Sequence, residues 1–127
     1  MGRKNLILTY KMLDAVDLDT SSNSSATQTT TIDQCSINIT WTGSTGTNTG
    51  SVVVQGTNLD TDDSGFVAAD WFNLELAGGT IDLTGASGEH LVVFDKTPFR
   101  AFRLAYTNST HAAGSLSAVL SAKTLGA

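Results

Sequence analysis

The most constraining feature of this sequence is a strict alternation of apolar and polar residues. In the segment CSINITW (35–41) every odd position is apolar and every even position is polar. Because successive side chains of a β-strand point to opposite faces of the sheet, this period of two predicts a strand with one buried face. The segment SLSAVLSA (115–122) repeats the pattern at all but one position. Half-buried strands of this kind are typical of antiparallel sheets.

Composition favours the same architecture along the rest of the chain. The 127 residues include 13 serines, 19 threonines and 12 glycines, so strand-forming and turn-forming residues dominate. Strands are predicted over residues 3–13, 35–41, 51–56, 71–76, 80–83, 89–94, 99–106 and 116–122. Eight short strands without a convincing helix predict an all-β fold, an antiparallel eight-stranded β-sandwich of the jelly-roll type. We expect one domain over residues 1–127, with residues 1–13 as an N-terminal arm or an edge strand.

The segments between these strands are rich in turn-forming residues. Residues 20–27 form a polar tract and are predicted to be an exposed loop. The segment TGSTGTNTG (42–50) predicts a hairpin loop that joins strand 35–41 to strand 51–56. In strand 99–106, alternation places Phe102, Leu104 and Tyr106 on one face. Arg100 and Arg103 are three positions apart in that strand, and we therefore expect them to point to opposite faces.

Charge is distributed unevenly along the chain. Seven basic and twelve acidic residues give a net charge of −5, which argues against nucleic acid as the main partner. No lysine or arginine lies between residues 12 and 95, where all the acidic residues lie. If the two basic ends meet in the fold, the molecule has two electrostatic faces suited to stacking in an assembly; otherwise the placement has no consequence. The interface candidates are Arg3, Lys4, Lys11, Lys96, Arg100 and Arg103.

The inventory of reactive side chains predicts no enzyme. The chain has one cysteine and two histidines, His90 in a strand and His111 at a loop tip. Cys35 lies on the apolar face of its strand, which predicts a buried, unreactive thiol. No nucleophile elbow, P-loop or dinucleotide fingerprint is present. A single cysteine excludes an internal disulfide, and no apolar run is long enough for a transmembrane helix.

The acidic segment 58–70 is the most site-like part of the sequence. DTDDSG (60–65) places oxygen-bearing side chains at alternate positions before a glycine, as in the first half of a calcium loop. The candidate ligands are Asp60, Asp62, Ser64 and Asp70. An EF-hand would need a glutamate where Trp71 stands, so a calcium site here would be a loop between strands and not an EF-hand. The alternative is a solvated acidic turn without a cofactor. Trp71 borders this segment and is the candidate for stacking on a sugar ring, whereas Trp41 is predicted to lie in the core.

Several segments together resemble a known class of proteins. They are DAVDL (14–18), ITWTG (39–43), GSVVVQGTN (50–58), WFNL (71–74), PFRAFRLAYT (98–107) and the closing strand 114–123. In this order they resemble the small β-sandwich virion proteins of tailed bacteriophages, which decorate capsids or build tails and fibres. The resemblance covers residues 14–123 and rests on strands and turns, with no catalytic motif.

The resemblance implies a non-enzymatic structural role. It implies a capsid decoration, or cement, protein that is made in the cytoplasm of a host bacterium and resides on the capsid surface. Its partners would be the major capsid protein and its own copies, as a homotrimer, with neither nucleic acid nor membrane. Two alternatives stay open: a tail, neck or fibre component, and a carbohydrate-binding module that recognises the host.

Overall fold

The computed structural model describes residues 6–29, 32, 34–45, 48–74, 80–94 and 99–124. Its regular structure is almost entirely β, with one short 3₁₀ turn at Ala68–Asp70. In chain order the strands are β1 (Leu6–Asp17), β2 (Ser22–Asn23), β3 (Thr27–Gln28), β4 (Gln34–Thr42), β5 (Gly50–Thr57), β6 (Phe72–Asn73), β7 (Ile81–Asp82), β8 (Gly88–Phe94), β9 (Ala101–Asn108) and β10 (Ser115–Thr124).

These strands form two antiparallel sheets that pack face to face. Sheet A has the order β1-β10-β4-β8, and sheet B has the order β2-β9-β5-β6. In sheet B, β2 and β3 pair with successive parts of β9, while β6 and β7 pair with successive parts of β5. The ten strands of the described residues therefore fill eight positions, which is the arrangement of a jelly roll. The prediction of an all-β sandwich is confirmed.

The predicted hairpin between strands 35–41 and 51–56 is wrong. β4 pairs with β10 and β8 in sheet A, whereas β5 pairs with β9, β6 and β7 in sheet B. The connection between them therefore crosses from one sheet to the other. Alternation identifies a strand with one buried face, but it does not say which sheet the strand joins, because both sheets bury a face against the same core.

Several predicted strand bounds also change. β1 continues to Asp17, and the tract 20–27 contains two short strands where a loop was predicted. Strands 71–76 and 80–83 shrink to two described residues each, and β9 begins at Ala101, so Arg100 precedes it. The predicted bounds that fall in residues 1–5, 75–79 and 95–98 lie outside the described residues.

The inward faces of the two sheets form the core. The four apolar residues of segment 35–41 are buried as predicted, and so are Phe102, Leu104 and Tyr106 of β9. One end of the sandwich is closed by Phe94, Phe99 and Phe102, which contact one another edge to face with ring centroids 5.8–6.3 Å apart. We call this the aromatic end.

Trp41 lies toward the opposite end of the core, where it needs a glycine as its neighbour. The register pairs Trp41 with Gly88 across β4 and β8. A Cβ atom on Gly88 would lie 2.4 Å from Cζ2 of the indole, which is shorter than any real contact. The indole therefore lies over the bare backbone of β8, and Trp41 is a core residue as the sequence predicts.

Candidate functional site

Three polar side chains, one each from β9, β5 and β6, form a row across the outer face of sheet B, and Trp71 packs on the β9 end of this row. Phe102 and Leu104 point inward, so Arg103 points outward, directly opposite Gln55 in the register of β9 and β5. Gln55 is in turn opposite Asn73 of β6. Arg103 Nε donates to Gln55 Oε1 at 2.9 Å, and Gln55 Nε2 donates to Asn73 Oδ1 at 3.0 Å.

Trp71 packs on this row. The guanidinium carbon of Arg103 lies 4.8 Å from the centroid of the Trp71 ring, in a cation–π contact. Phe66, in the acidic segment, meets the same ring edge to face at 5.5 Å. Partial burial lowers the pKa of Arg103 from its ordinary value. We call Gln55, Phe66, Trp71, Asn73 and Arg103 the Trp71 cluster.

The Trp71 cluster changes the chemistry that Trp71 can offer. One face of the ring is covered by Arg103, and Phe66 contacts the ring at right angles. A sugar would have to displace the guanidinium or use the remaining face. In the described residues, the Trp71 ring links Phe66 of the acidic segment to Arg103 of sheet B and so holds the segment against the sheet. The sugar-binding role of Trp71 stays a prediction.

Three carboxylates of the acidic segment accept hydrogen bonds from nearby backbone N–H groups. Asp60 Oδ1 accepts from the backbone N–H of Asp62 at 3.0 Å, and Asp60 Oδ2 lies 3.7 Å from the Arg100 guanidinium. Asp63 Oδ1 accepts from the N–H of Gly65 at 3.0 Å, and Asp70 Oδ2 accepts from the N–H of Val67 at 2.9 Å.

The contacts of Asp60 and Asp63 are Asx turns, whereas Asp70 accepts from the N–H three residues earlier, at the start of the 3₁₀ turn. Within the described residues, no group of three or more His, Cys, Asp or Glu side chains is placed to hold a metal ion. Ser64 is exposed beside these turns. Calcium binding by Asp60, Asp62, Ser64 and Asp70 stays a prediction.

The described interface candidates lie on two different faces. Lys11 points outward from β1 in sheet A, opposite Val119, and lies 3.3 Å from Asp14 in an exposed ion pair. Arg100 and Arg103 lie on the sheet B side. Neither arginine points into the core. Arg3, Lys4 and Lys96 lie outside the described residues.

A buried polar network closes the end of the sandwich opposite the aromatic end. His111 is 3% exposed and Ser44 is 5% exposed, although both follow strands as loop residues. His111 Nε2 lies 2.8 Å from the carbonyl oxygen of Leu83, to which it can only donate. Nδ1 is therefore left to accept from the Ser44 hydroxyl at 2.6 Å. This network is absent from the sequence-based predictions.

Neighbouring side chains hold the backbone around His111. Asn108 Oδ1 accepts from the N–H of His111 at 2.9 Å, and Asn108 Nδ2 donates to its carbonyl at 3.0 Å. The Tyr106 hydroxyl donates to the Leu18 carbonyl at 2.6 Å. Burial, and then the charge of Asp19, raise the pKa of Tyr106. We call these side chains, Ser44, Tyr106, Asn108 and His111, together with the Leu18 and Leu83 carbonyls that they contact, the His111 network. The Ser44–His111 pair is buried beneath the loops that carry the two residues, which supports a structural role and not a catalytic one.

The outer face of sheet A carries mostly small polar side chains. A shallow depression of about 260 Å³ crosses β8, β4 and β10 near the aromatic end. Its lining residues are Gln34, Cys35, Ser36, Val93, Phe94, Ser121, Ala122 and Lys123. Burial raises the pKa of the Cys35 thiol to about 12, so the thiol stays protonated near neutral pH. Beside the depression, Leu91 and Val93 of β8 are 58% and 54% exposed.

A search for membrane-spanning helices finds none in the described ranges that is both long enough and apolar enough. No protein-family model matches the sequence. No curated protein matches it either.

The fold is shared with solved structures. One is the SPBc2 prophage-derived protein YomS, with a TM-score of 0.57 and 7% sequence identity over 96% of this chain and 98% of that chain. Another is the structure of infectious bursal disease virus, Gx strain, with a TM-score of 0.51 and 12% identity over 98% of this chain. This chain corresponds to 33% of the length of that viral chain. At these identities the similarity establishes the fold.

Proposed function

We propose that this chain is a structural protein of a virion, and specifically a bacteriophage capsid decoration protein that binds the major capsid protein. The observation that carries the proposal is the full-length likeness to a prophage-derived protein: 96% of this chain superposes on 98% of that one. The match to a virus structure supports the same class. Jelly rolls recur in viral capsid proteins, although the fold by itself does not fix a function.

The roles of the polar side chains support a structural protein. Arg103 is engaged with Gln55 and Trp71, Asp60 faces Arg100, and His111 is buried between Ser44 and Leu83. In each case a group with catalytic potential is used to hold a loop on the sandwich. A decoration protein needs such a rigid body with two usable faces, and it needs no reacting group.

The two faces of the sandwich offer different contacts to capsid subunits. The outer face of sheet A presents small polar side chains with Lys11 and Lys123 among them. The acidic segment, with Asp60, Asp62 and Asp63, lies on the sheet B side. We infer that this face contacts the capsid, and that Lys11 and Lys123 lie opposite acidic side chains there. Each contact is modest, and the symmetry of the shell multiplies it through avidity.

The copy number in purified virions tests this proposal. A decoration protein is expected in amounts comparable to the major capsid protein, which quantitative mass spectrometry of particles measures directly. A few copies per particle would assign the chain to the tail, neck or fibre instead. Complete absence from particles would make the virion proposal wrong.

A binding experiment tests the contact face. Capsids that lack the protein are mixed with the purified chain and sedimented. The double variant Lys11→Glu/Lys123→Glu is expected to bind at least tenfold more weakly, because two positive charges on the sheet A face are reversed. The control Arg100→Glu changes one charge on the other side and should bind like the wild type. The opposite pattern would place the contact on the sheet B side.

A further inference from the structure

Open sheets end in edge strands, and within the described residues three of the four edges of this sandwich are interrupted. There the two edges of sheet B show strands of two residues each, β2 and β3 on one side and β6 and β7 on the other. The β1 edge of sheet A has register shifts between Lys11 and Leu13 and between Leu13 and Val16. Short strands and bulges are the devices by which proteins prevent edges from pairing with other chains.

The β8 edge has none of these devices. Its register with β4 runs without a break from Gly88 opposite Trp41 to Phe94 opposite Cys35. The strand GEHLVVF contains no proline and no lysine, and its outward side chains Leu91 and Val93 are more than half exposed. No strand in the described part of the chain pairs with its other side. A long, regular and apolar edge is a site for strand addition.

We propose that β8 pairs with β8 of a second copy of this chain, antiparallel, about a two-fold axis through Leu91. The two four-stranded A sheets then become one continuous sheet of eight strands. In this register Leu91 faces its own copy, Glu89 faces Val93, and Gly88 faces Phe94. All seven residues of β8 are paired, and core-facing residues stay on the core side because the register shift is even.

The chemistry of β8 fits its own copy. Glu89 is the only residue of the strand with a full charge at neutral pH, and its counterpart lies four residues further along, roughly 13 Å away. That distance exceeds the screening length of about 8 Å at physiological salt, so repulsion between the two copies is weak. The directly opposed outward side chains are Leu91 with Leu91 and the aliphatic part of Glu89 with Val93.

The symmetry of this contact also favours a second copy as the partner. A two-fold contact uses the same strand from both molecules and leaves neither β8 edge open, so association stops at two chains. Edge pairing over seven residues buries less surface than the roughly 800 Å² per partner of a standard interface. We therefore expect a reversible dimer whose population rises with protein concentration. This dimer differs from the homotrimer that the family resemblance implies.

Solution mass is the first test. Light scattering across a concentration series should show the wild type approaching twice its chain mass of 13.3 kDa, while Leu91→Lys stays at the mass of one chain. Thr9→Lys, an exposed position on the opposite edge of the same sheet, is the matched control and should dimerise like the wild type. A single-chain mass at every concentration, a trimer, or equal behaviour of the two variants would overturn the proposal.

Disulfide trapping tests the register. Leu91→Cys should form a covalent dimer under mild oxidation at least tenfold faster than Thr9→Cys, because its symmetry mate is adjacent. Glu89→Cys should cross-link to Val93→Cys in a mixture but not to itself. The wild type, whose only thiol is the buried Cys35, should not cross-link. Equal rates for Leu91→Cys and Thr9→Cys would overturn the proposal, and Glu89→Cys cross-linking only to itself would exclude this register.

Discussion

The two ends of the sandwich are closed by different chemistry. At the aromatic end, Phe94, Phe99 and Phe102 fill the space between the sheets through edge-to-face ring contacts. At the other end, the His111 network fills it with directional hydrogen bonds from His111 to Ser44 and Leu83. Both ends are buried, but only the second depends on specific donors and acceptors.

This difference determines which substitutions each end tolerates. Apolar packing accepts a side chain of similar volume at modest cost, since dispersion contacts are not directional. A buried hydrogen-bond network does not, because each partner that is left unsatisfied loses its solvation without compensation. The two ends are similarly buried, but their contacts differ in kind. We therefore expect them to differ strongly in their sensitivity to substitutions that conserve volume.

Among substitutions that conserve volume, the largest effect is expected for His111→Phe. Phenylalanine has a similar volume but leaves the Leu83 carbonyl and the Ser44 hydroxyl without their partner. We expect the free energy of unfolding to fall by about 3 kcal/mol, measured by urea denaturation. His90→Phe, the same substitution at a half-buried position of β8, is the control and should reduce stability by clearly less than His111→Phe. A loss no greater than that of the control would remove the distinction between the two ends.

A smaller effect is expected for Phe102→Leu at the aromatic end. Leucine keeps most of the buried volume and loses two ring contacts, with Phe94 and Phe99. The expected loss is about 1.5 kcal/mol in the same urea experiment. Phe102→Ala should cost about 4 kcal/mol, because it leaves a cavity that the sheets cannot close. If leucine and alanine were equally costly, the aromatic end would depend on ring geometry as strictly as the other end depends on hydrogen bonds.

The smallest effect is expected for Cys35→Ala, and it depends on pH; Cys35 lies opposite Phe94. Its pKa is raised by burial from an ordinary value of 9.0 to about 12. Between these values the unfolded chain has lost the proton that the folded chain keeps, so the free energy of unfolding falls as pH rises. The advantage of the wild type over Cys35→Ala should therefore shrink steadily from about pH 9 upward.

The control for this pH dependence is Val92→Ala. Val92 is buried on β8 and does not titrate, so its difference from the wild type should stay constant over the same range. Urea denaturation at pH 8 and pH 10.5 measures both differences. Parallel behaviour of the two variants would show that the Cys35 thiol ionises freely in the folded protein.

The burial of Phe102 at the aromatic end was predictable from the sequence, and the His111 network was not. Alternation along β9 placed Phe102 on the buried face, because the period of two is a local property of each strand. Ser44 and His111 are 67 positions apart and both stand in turn-like segments, where no periodicity marks a buried residue. Their contact depends on which loops the two sheets bring to the same end, and that is a property of the topology.

The Trp71 cluster shows the same limit on the outer face of sheet B. The sequence indicated that Trp71 borders an acidic segment, and the structure agrees. The stacking of Arg103 on its ring depends on the register that sets Gln55 opposite Arg103 and Asn73 opposite Gln55. Register is fixed by pairing across the sheet, so a single sequence does not reveal it. The predicted hairpin of β4 and β5 was wrong for a related reason, because the sheet that a strand joins is also decided by pairing between distant segments.

The pairing of β1 with β10 has a mechanical consequence. Leu6 lies opposite Thr124, so the chain enters and leaves sheet A at the same end of neighbouring antiparallel strands. A force applied to both ends of the chain would act across this pair and peel its hydrogen bonds apart one after another, as a zipper opens. A force applied through the faces of the sheets would be shared by all strands at once. We therefore expect the molecule to withstand a load across the faces of its sheets better than the same load applied to the two ends of the chain.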